Sequence, residues 1–462
     1  MFVRDFTAAL SLARFDILVP LICLALSASL CASESTRPNV VFIMADDLGW
    51  GDVGFHGGTA STPNLDRLAE HGIELTHHYV APVCSPTRTG LLTGRCWSRF
   101  GVTTPTNTLA IPHSTLTLPR LLSDAGYETC LIGKWHLGSL PKWGPNHFGF
   151  DHSYGSLAGG VSPWSHGYKQ GPYRPTWHRN ETLVRESGHV TDLLTREAEQ
   201  WISKRSEKPF FLYLPYTAVH LPLREPEEWV ARVSDSVEGP VERHYLASIM
   251  HLDDAVGKIV RALEATDLLE NTIVIFTSDN GGSTAENNDL RYPDDDCPNG
   301  ALPGQNLPLR GKKGDVYEGG IRVPTIVSCP KLFSPRKEDT PVQIIDWLPT
   351  IGRFAEVKIR ESESVDGFDL SDLLLHQREI PDRSIYTVGP NWRSVSLRDR
   401  RWKLIQHQNG ESVVRELYDL INDSQERHDV ASQHPEVVSR LRLNLVETAM
   451  SDRDSVVDLK AE

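Results

Sequence analysis

The chain has no Cys-x-x-Cys spacing, no internal repeat and no low-complexity stretch, and beyond residue 30 it has no apolar run long enough to cross a bilayer. The first absence leaves no zinc-ribbon reading. The last leaves no membrane span once the N-terminal run is removed. Positive charge is also short: 47 Lys and Arg against 61 Asp and Glu give a net charge of −14 over 462 residues. A surface of that sign offers no field for phosphate backbones, which argues against nucleic acid as a partner and against long-range steering of an anionic substrate. Any anion site must be a local basic pocket.

Arg4 and Arg14 precede an apolar run over 17–30, followed by the small-residue stretch "CASES". The run is too short for a comfortable span and reads as a signal peptide over 1–32, implying export to a periplasmic, secreted or lysosome-like compartment. A lipoprotein reading through Cys31 is disfavoured by the bulk of Leu30. Of the cysteines at 23, 31, 84, 96, 130, 297 and 329, the first two fall in that segment. In an oxidising compartment Cys96, Cys130, Cys297 and Cys329 could pair, with the partners open.

Apolar strands alternate with helical segments through most of the remaining chain. "NVVFIMADD", "YETCLIGKWHLG", "PFFLYLPYTAVH" and "NTIVIFTSDNGG" read as buried strands. "TDLLTREAEQWISKRS" and "HYLASIMHLDDAVGKIVRALEAT" read as helices, and Thr62-Pro63 opens another that stops at Gly72. The pattern predicts an α/β fold with a large, mostly parallel sheet sandwiched by helices, occupying 33–380. From about residue 381 short antiparallel strands and a closing helix from Pro435 predict a small α+β subdomain over 381–462. Ligands of parallel sheets gather at the carboxyl ends of strands. Asp46, Asp47, Asp279, Asn280, His136 and His220 are placed there.

"CSPTRTGLLTG" sets Cys84 at the start of a helix, with Pro86 in its first turn and Thr93-Gly94 at its stop. Free N–H groups and the helix dipole favour negative charge at such an end. Arg88, four residues on, lies on the same face. A nucleophile beside a guanidinium suits an oxyanion of sulfur or phosphorus. A thiolate phosphatase would need its arginine six residues after the cysteine, where Gly90 stands.

This stretch resembles the first signature of the sulfatase family, C-x-P-x-R followed by L-T-G, and "GYETCLIGKWHLG" (126–138) resembles the second. The resemblance extends over about 38–430. Segments at 219–223, 279–282 ("DNGG") and 310–322 ("RGKKGDVYEGGIR") look most like the arylsulfatase B (N-acetylgalactosamine-4-sulfatase) type. It implies an alkaline-phosphatase-like fold and a sulfuric ester hydrolase acting on a sulfated saccharide or aryl sulfate. It further implies that a separate formylglycine-generating maturation enzyme converts Cys84 to Cα-formylglycine, whose hydrate is the nucleophile. Two alternatives stand beside it: a phosphodiester or phosphonate monoester hydrolase of the same superfamily, and an unconverted, inactive glycan-binding relative.

Four oxygen-bearing side chains, Asp46, Asp47, Asp279 and Asn280, suit a hard dication. The resemblance makes it one Ca2+, completed by the oxygen of modified Cys84. It also assigns Lys134 and Lys313 to sulfate, His136 to the diol proton, His220 to the leaving oxygen and Arg88 to the formylglycine hydroxyl. If the strand persists, Lys134 and His136 point to one side. Trp143, Trp164, His166, Trp177 and His178 are candidates for stacking on a sugar ring, "PDDDCP" (293–298) is a solvated loop, and Asn180 and Asn422 stand in acceptor-like sequons.

Overall fold

Seven residues with no exposed side chain, Asn39–Ala45, form β1 near the middle of a ten-stranded sheet. The computed structural model describes residues 37–169, 171–205, 208–287, 292 and 295–460. The expected signal peptide, with Cys23 and Cys31, lies outside the described residues, as do Pro293 and Asp294 of the acidic loop. The other strands of the sheet are β2 (Ile73–Leu75), β3 (Glu128–Lys134), β4 (His152–Ser156), β5 (Trp177–Arg179), β6 (Thr182–Leu183), β7 (Phe210–Pro215), β8 (Thr272–Ser278), β9 (Ile326–Ser328) and β10 (Arg336–Glu338). Their order is β10-β2-β9-β8-β1-β7-β3-β4-β5-β6. The central run from β8 to β4 is parallel throughout. Antiparallel β9 flanks it on one side and β5 and β6 on the other, so the sheet is mixed, with a parallel centre.

Helices cover both faces: α1 (Pro63–His71), α2 (Cys84–Thr93), α3 (Leu118–Asp124), α4 (Val190–Ile202), α5 (Pro240–Ala265) and α6 (Trp347–Phe354). The pleat divides β1 between them. Val40, Phe42 and Met44 enter a core with Leu91, Leu122 and Trp347 from α2, α3 and α6. Val41, Ile43 and Ala45 enter another with Leu65, Leu194 and Val256 from α1, α4 and α5. Burial on both faces is why these strands read as continuous apolar runs.

An antiparallel four-stranded sheet follows, β11 (Ile385–Val388), β12 (Ser394–Arg398), β13 (Trp402–Asn409) and β14 (Ser412–Asp419). The closing helix α7 (Pro435–Ala449) packs Leu441 and Leu445 against it. Lys403 of β13, fully buried, pairs with Glu318 at 2.9 Å and Glu426 at 2.8 Å, fixing the segment that carries Lys313. No described helix is long and apolar enough to cross a membrane. Cys84, Cys96, Cys130 and Cys329 are free thiols, so no disulfide joins any of these four.

Candidate active site

Register builds the site. Ala45 stands opposite Ser278 and Met44 opposite Pro215, so β8, β1 and β7 end at one level. The residues that follow must emerge together. Asp47 turns through a left-handed conformation (φ 64°), and its N–H donates to Asp279 Oδ1 at 3.2 Å. Leu48 N–H donates to Ser278 Oγ at 3.0 Å, and Asn280 Nδ2 donates to Asp47 Oδ1 at 2.8 Å. The two acidic pairs, more than 230 residues apart in sequence, form one hydrogen-bonded unit.

The helix α2 begins at Cys84, and all ten of its residues are buried. It ends where Gly94 takes a left-handed φ of 63° and returns its N–H to Gly90, a conformation open to glycine at no steric cost. Thr87 Oγ1 donates to the Asp279 carbonyl at 2.6 Å, and Ser85 Oγ donates to the His136 carbonyl at 2.9 Å. These two bonds fix the start of the helix against the "DNGG" segment and the second signature. Arg88 reaches Asp279 Oδ2 at 2.7 Å and the Lys134 carbonyl at 2.8 Å, with no exposed surface. Its guanidinium is thus engaged by Asp279 and the end of β3.

Each site carboxylate has a cationic partner. Lys134 Nζ lies 2.5 Å from Asp46 Oδ2, and Lys313 Nζ lies 2.6 Å from Asp47 Oδ1. The loop bearing Lys313 is tied down by Gly314 N–H to the Pro82 carbonyl at 2.8 Å, two residues before Cys84. Lys312 points elsewhere, to Thr284 Oγ1. His220 Nε2 is 3.9 Å from Asp47 Oδ2, and its Nδ1–H donates to the Leu221 carbonyl.

Two expected placements differ. β3 stops at Lys134, and His136 is seated through a left-handed residue (φ 58°), so the two side chains are not brought together by strand alternation. β7 stops at Pro215, and His220 lies in the turn beyond it. Both strands end before the histidine, which lies in the segment that follows.

Burial sets the electrostatics. It pushes Asp46 up, to about 8, and the neighbouring Asp279 charge adds to the rise. Burial also opposes ionisation of Asp47, but the Lys313 ammonium, with hydrogen bonds from Lys313 and Asn280, outweighs it and holds the carboxyl at about 2. Burial pushes the Cys84 thiol up. His136 and His220 are held well below the usual imidazole value by burial, then by Lys134 and Lys313 respectively, and are neutral.

Asp46 Oδ1 and Asn280 Oδ1 are buried acceptors with no hydrogen-bond partner. Such atoms are costly unless something positive meets them. Donor atoms of Asp46, Asp47, Cys84 and His220 also lie within 4.8 Å of one another. The oxygen-rich set fits a hard dication; Asp279 stands beside it, its Oδ1 accepting the Asp47 backbone N–H and its Oδ2 the Arg88 guanidinium.

One neighbour was not legible as functional. A Cβ on Gly159 would lie 2.1 Å from the His136 ring, and one on Gly160 would lie 3.3 Å from His220. The turn can pass between the two imidazoles only with no side chain at 159; the Gly-Gly doublet was its one visible sign. Of the proposed sugar-stacking residues, Trp177, His178 and His166 are buried, and His178 is bound to Gly155 and Ser153. Trp164 is 40% exposed and remains available, with its indole N–H on the Arg224 carbonyl. Asp295 of the acidic loop accepts the Trp164 backbone N–H at 2.8 Å, so it anchors a turn.

Residues 38–357 match the family described as Sulfatase, and residues 312–451 match that described as N-sulphoglucosamine sulphohydrolase, C-terminal. Arylsulfatase J of Mus musculus is 31% identical over 88% of this chain and 75% of its own length. The N-acetylgalactosamine-6-O-sulfatase of Bacteroides thetaiotaomicron is 30% identical over 88% of this chain and 92% of its own. Among solved structures, that of Ps i-CgsB in complex with k-i-k-neocarrahexaose superposes with a TM-score of 0.82 at 29% identity, covering 92% of this chain and 96% of that one.

Proposed function

Since the chain belongs to the sulfatase family and is a sulfuric ester hydrolase, we propose that it releases inorganic sulfate from a sulfated saccharide, using Cys84 matured to Cα-formylglycine and one Ca2+. The saccharide class is supported by the relatives that act on N-acetylgalactosamine sulfate and by the similar structure that holds a neocarrahexaose. The observation that carries the reading is the convergence of Cys84 with Asp46, Asp47 and His220 under two lysines. Conversion of Cys84 is the work of a separate maturation enzyme, and export is proposed on the N-terminal segment.

Asp46, Asp47, Asp279 and Asn280 would hold the dication, with the residue-84 oxygen beside them. When bound, it lowers the cost of ionising the residue-84 hydroxyl and offsets charge on sulfuryl oxygens. The hydrated aldehyde brings two hydroxyls, one to displace the ester oxygen and one to expel sulfate afterwards, which splits a hard displacement into two easier steps. Lys134 and Lys313 turn from their carboxylates to the sulfate oxygens, where their charge stabilises the transition state. Arg88 fixes the end of β3 and Asp279, and so holds the pocket beside residue 84 in shape. His136, neutral, with a buried Nδ1 that no group occupies, accepts the proton of the second hydroxyl. His220 presents an unprotonated Nε2 because Nδ1–H is bound to Leu221. It takes up a proton from solvent as the singly charged sulfate ester arrives, and passes it to the leaving sugar oxygen.

Matured protein should be assayed in parallel on a panel of sulfated oligosaccharides, an aryl sulfate and an aryl phosphodiester. Sulfate release is expected to be fastest on a saccharide. Faster turnover of the phosphodiester would replace the reading with phosphoester chemistry, and no turnover of any substrate would favour a binding relative.

A further inference from the structure

Away from Cys84, on the outer side of the loop that carries His220, a second group of metal-ligating side chains converges. His189 is the N-cap residue of α4, Asp192 is in that helix's first turn, and His251 lies midway along α5. One donor atom from each lies within 4.8 Å of the others. His251 Nε2 is 3.1 Å from Asp192 Oδ1, and His251 Nδ1 is 2.8 Å from Glu225 Oε2. Glu225 is five residues beyond His220.

An ion-pair network explains only part of this. A protonated His251 between Asp192 and Glu225 satisfies all three side chains. It leaves His189 unexplained. That imidazole is 1% exposed, and neither ring nitrogen has a hydrogen-bond partner. Its Nε2 is 3.7 Å from Glu225 Oε2, beyond hydrogen-bond range, and its ring stacks on His251 with centroids 5.1 Å apart. An imidazole buried with two idle nitrogens costs stability unless something supplies a partner.

We propose that His189, Asp192 and His251 form a second cation site, for a borderline transition-metal dication of which Zn2+ is the natural probe. Two imidazoles and one carboxylate suit such an ion and not the hard dication of the oxygen-lined pocket. The surroundings agree. Glu225 accepts the Nδ1–H of His251, which leaves Nε2 as the lone-pair nitrogen facing Asp192; a carboxylate behind a ligating histidine fixes tautomer and ring orientation in this way. Trp229 stacks on His251 at 4.7 Å and holds the ring in place. The Asp192 side chain is 44% exposed, which gives an entry path and room for a water as fourth ligand. The ion would clip the start of α4 to α5 and, through Glu225, brace the His220 loop.

Untagged protein with Ca2+ in excess should be titrated with Zn2+ by calorimetry, with Tm followed in parallel. Expected is about one Zn2+ per chain and a raised Tm. His189→Gln and Asp192→Asn should each weaken binding by at least ~10-fold and reduce the Zn2+-induced Tm shift, each variant compared with its own metal-free Tm. Asp192 is partly exposed, so its variant is a folded control even if the His189 variant is unstable. His220→Gln should leave the Zn2+ isotherm unchanged. Absence of Zn2+ binding, or binding indifferent to the changes at 189 and 192, overturns the site and leaves the proposed hydrolase untouched.

Discussion

Lys134 Nζ sits 2.5 Å from Asp46 Oδ2, both side chains fully buried, so the lysine proposed for sulfate is bound to a carboxyl proposed for the metal. Lys313 and Asp47 repeat the arrangement, and Arg88 with Asp279 completes three cation–carboxylate pairs. On the proposed reading the carboxylates would hold a dication, and the lysines, no longer needed as their partners, would face the singly charged sulfate ester.

Loss of a lysine should therefore affect both turnover and stability. Lys313→Ala removes the cation that holds the buried Asp47 carboxyl ionised, so it should lower Tm as well as lowering kcat by at least ~100-fold. Near-normal turnover would remove Lys313 from the chemistry. Lys134→Ala leaves the buried Asp46 carboxyl, already pushed up to about 8, without its partner, a loss of about 1–3 kcal/mol. Without Ca2+ its Tm should fall well below that of the parent, and Ca2+ should recover more of the loss than it adds to the parent.

Chelation should abolish sulfate release, and Ca2+ in excess should restore it. Zn2+ at the same concentration should restore less, since the orphaned acceptors on Asp46 and Asn280 are carboxylate and amide oxygens. Undiminished turnover after thorough chelation contradicts the metal role.

Gly159→Ala should cut activity far more than it cuts folding. The new methyl would meet the His136 ring at 2.1 Å, which the imidazole can relieve only by leaving its seat. Steady-state kinetics with a thermal melt separates the two effects; parent-like kcat would show that His136 does not need that position.

Acid should destabilise the protein through buried neutral histidines. His78 accepts the Trp347 indole N–H on Nε2 at 3.0 Å, and burial holds its pKa at about 3 against an ordinary 6.5. The unfolded chain binds a proton below pH 6.5 that the folded chain refuses until about pH 3. Its contribution is present above 6.5 and is lost as pH falls, by about 1.4 kcal/mol per pH unit. Unfolding free energy between pH 6.5 and 5 should fall less steeply in His78→Gln than in the parent; equal slopes would contradict the assignment.

The parts of the fold legible in the sequence are those where one local signal suffices. β1 and β8 are unbroken apolar runs because both faces are covered, and α1 carries its own stop signals from Pro63 to Gly72. The four-residue strand β11 and its partners were visible through polar turns. The two-residue strand β6 was not, because its pairing is decided by distant neighbours. At the site, the types and order of Cys84, Arg88, Lys134 and the acidic pairs could be read, but not the pairing of each cation with one carboxylate. The left-handed seat of His136 and the bare backbone at Gly159 depend on packing between segments that no spacing rule links.

Mass analysis of the peptide spanning residue 84, taken from turnover-competent protein expressed with a maturation enzyme, bears directly on the nucleophile. The residue-84 peptide should carry an aldehyde, or its hydrate, in place of the CH2SH group, and its fraction should rise in step with specific activity. Fully active protein whose peptide retains an intact, alkylatable thiol would contradict the formylglycine mechanism.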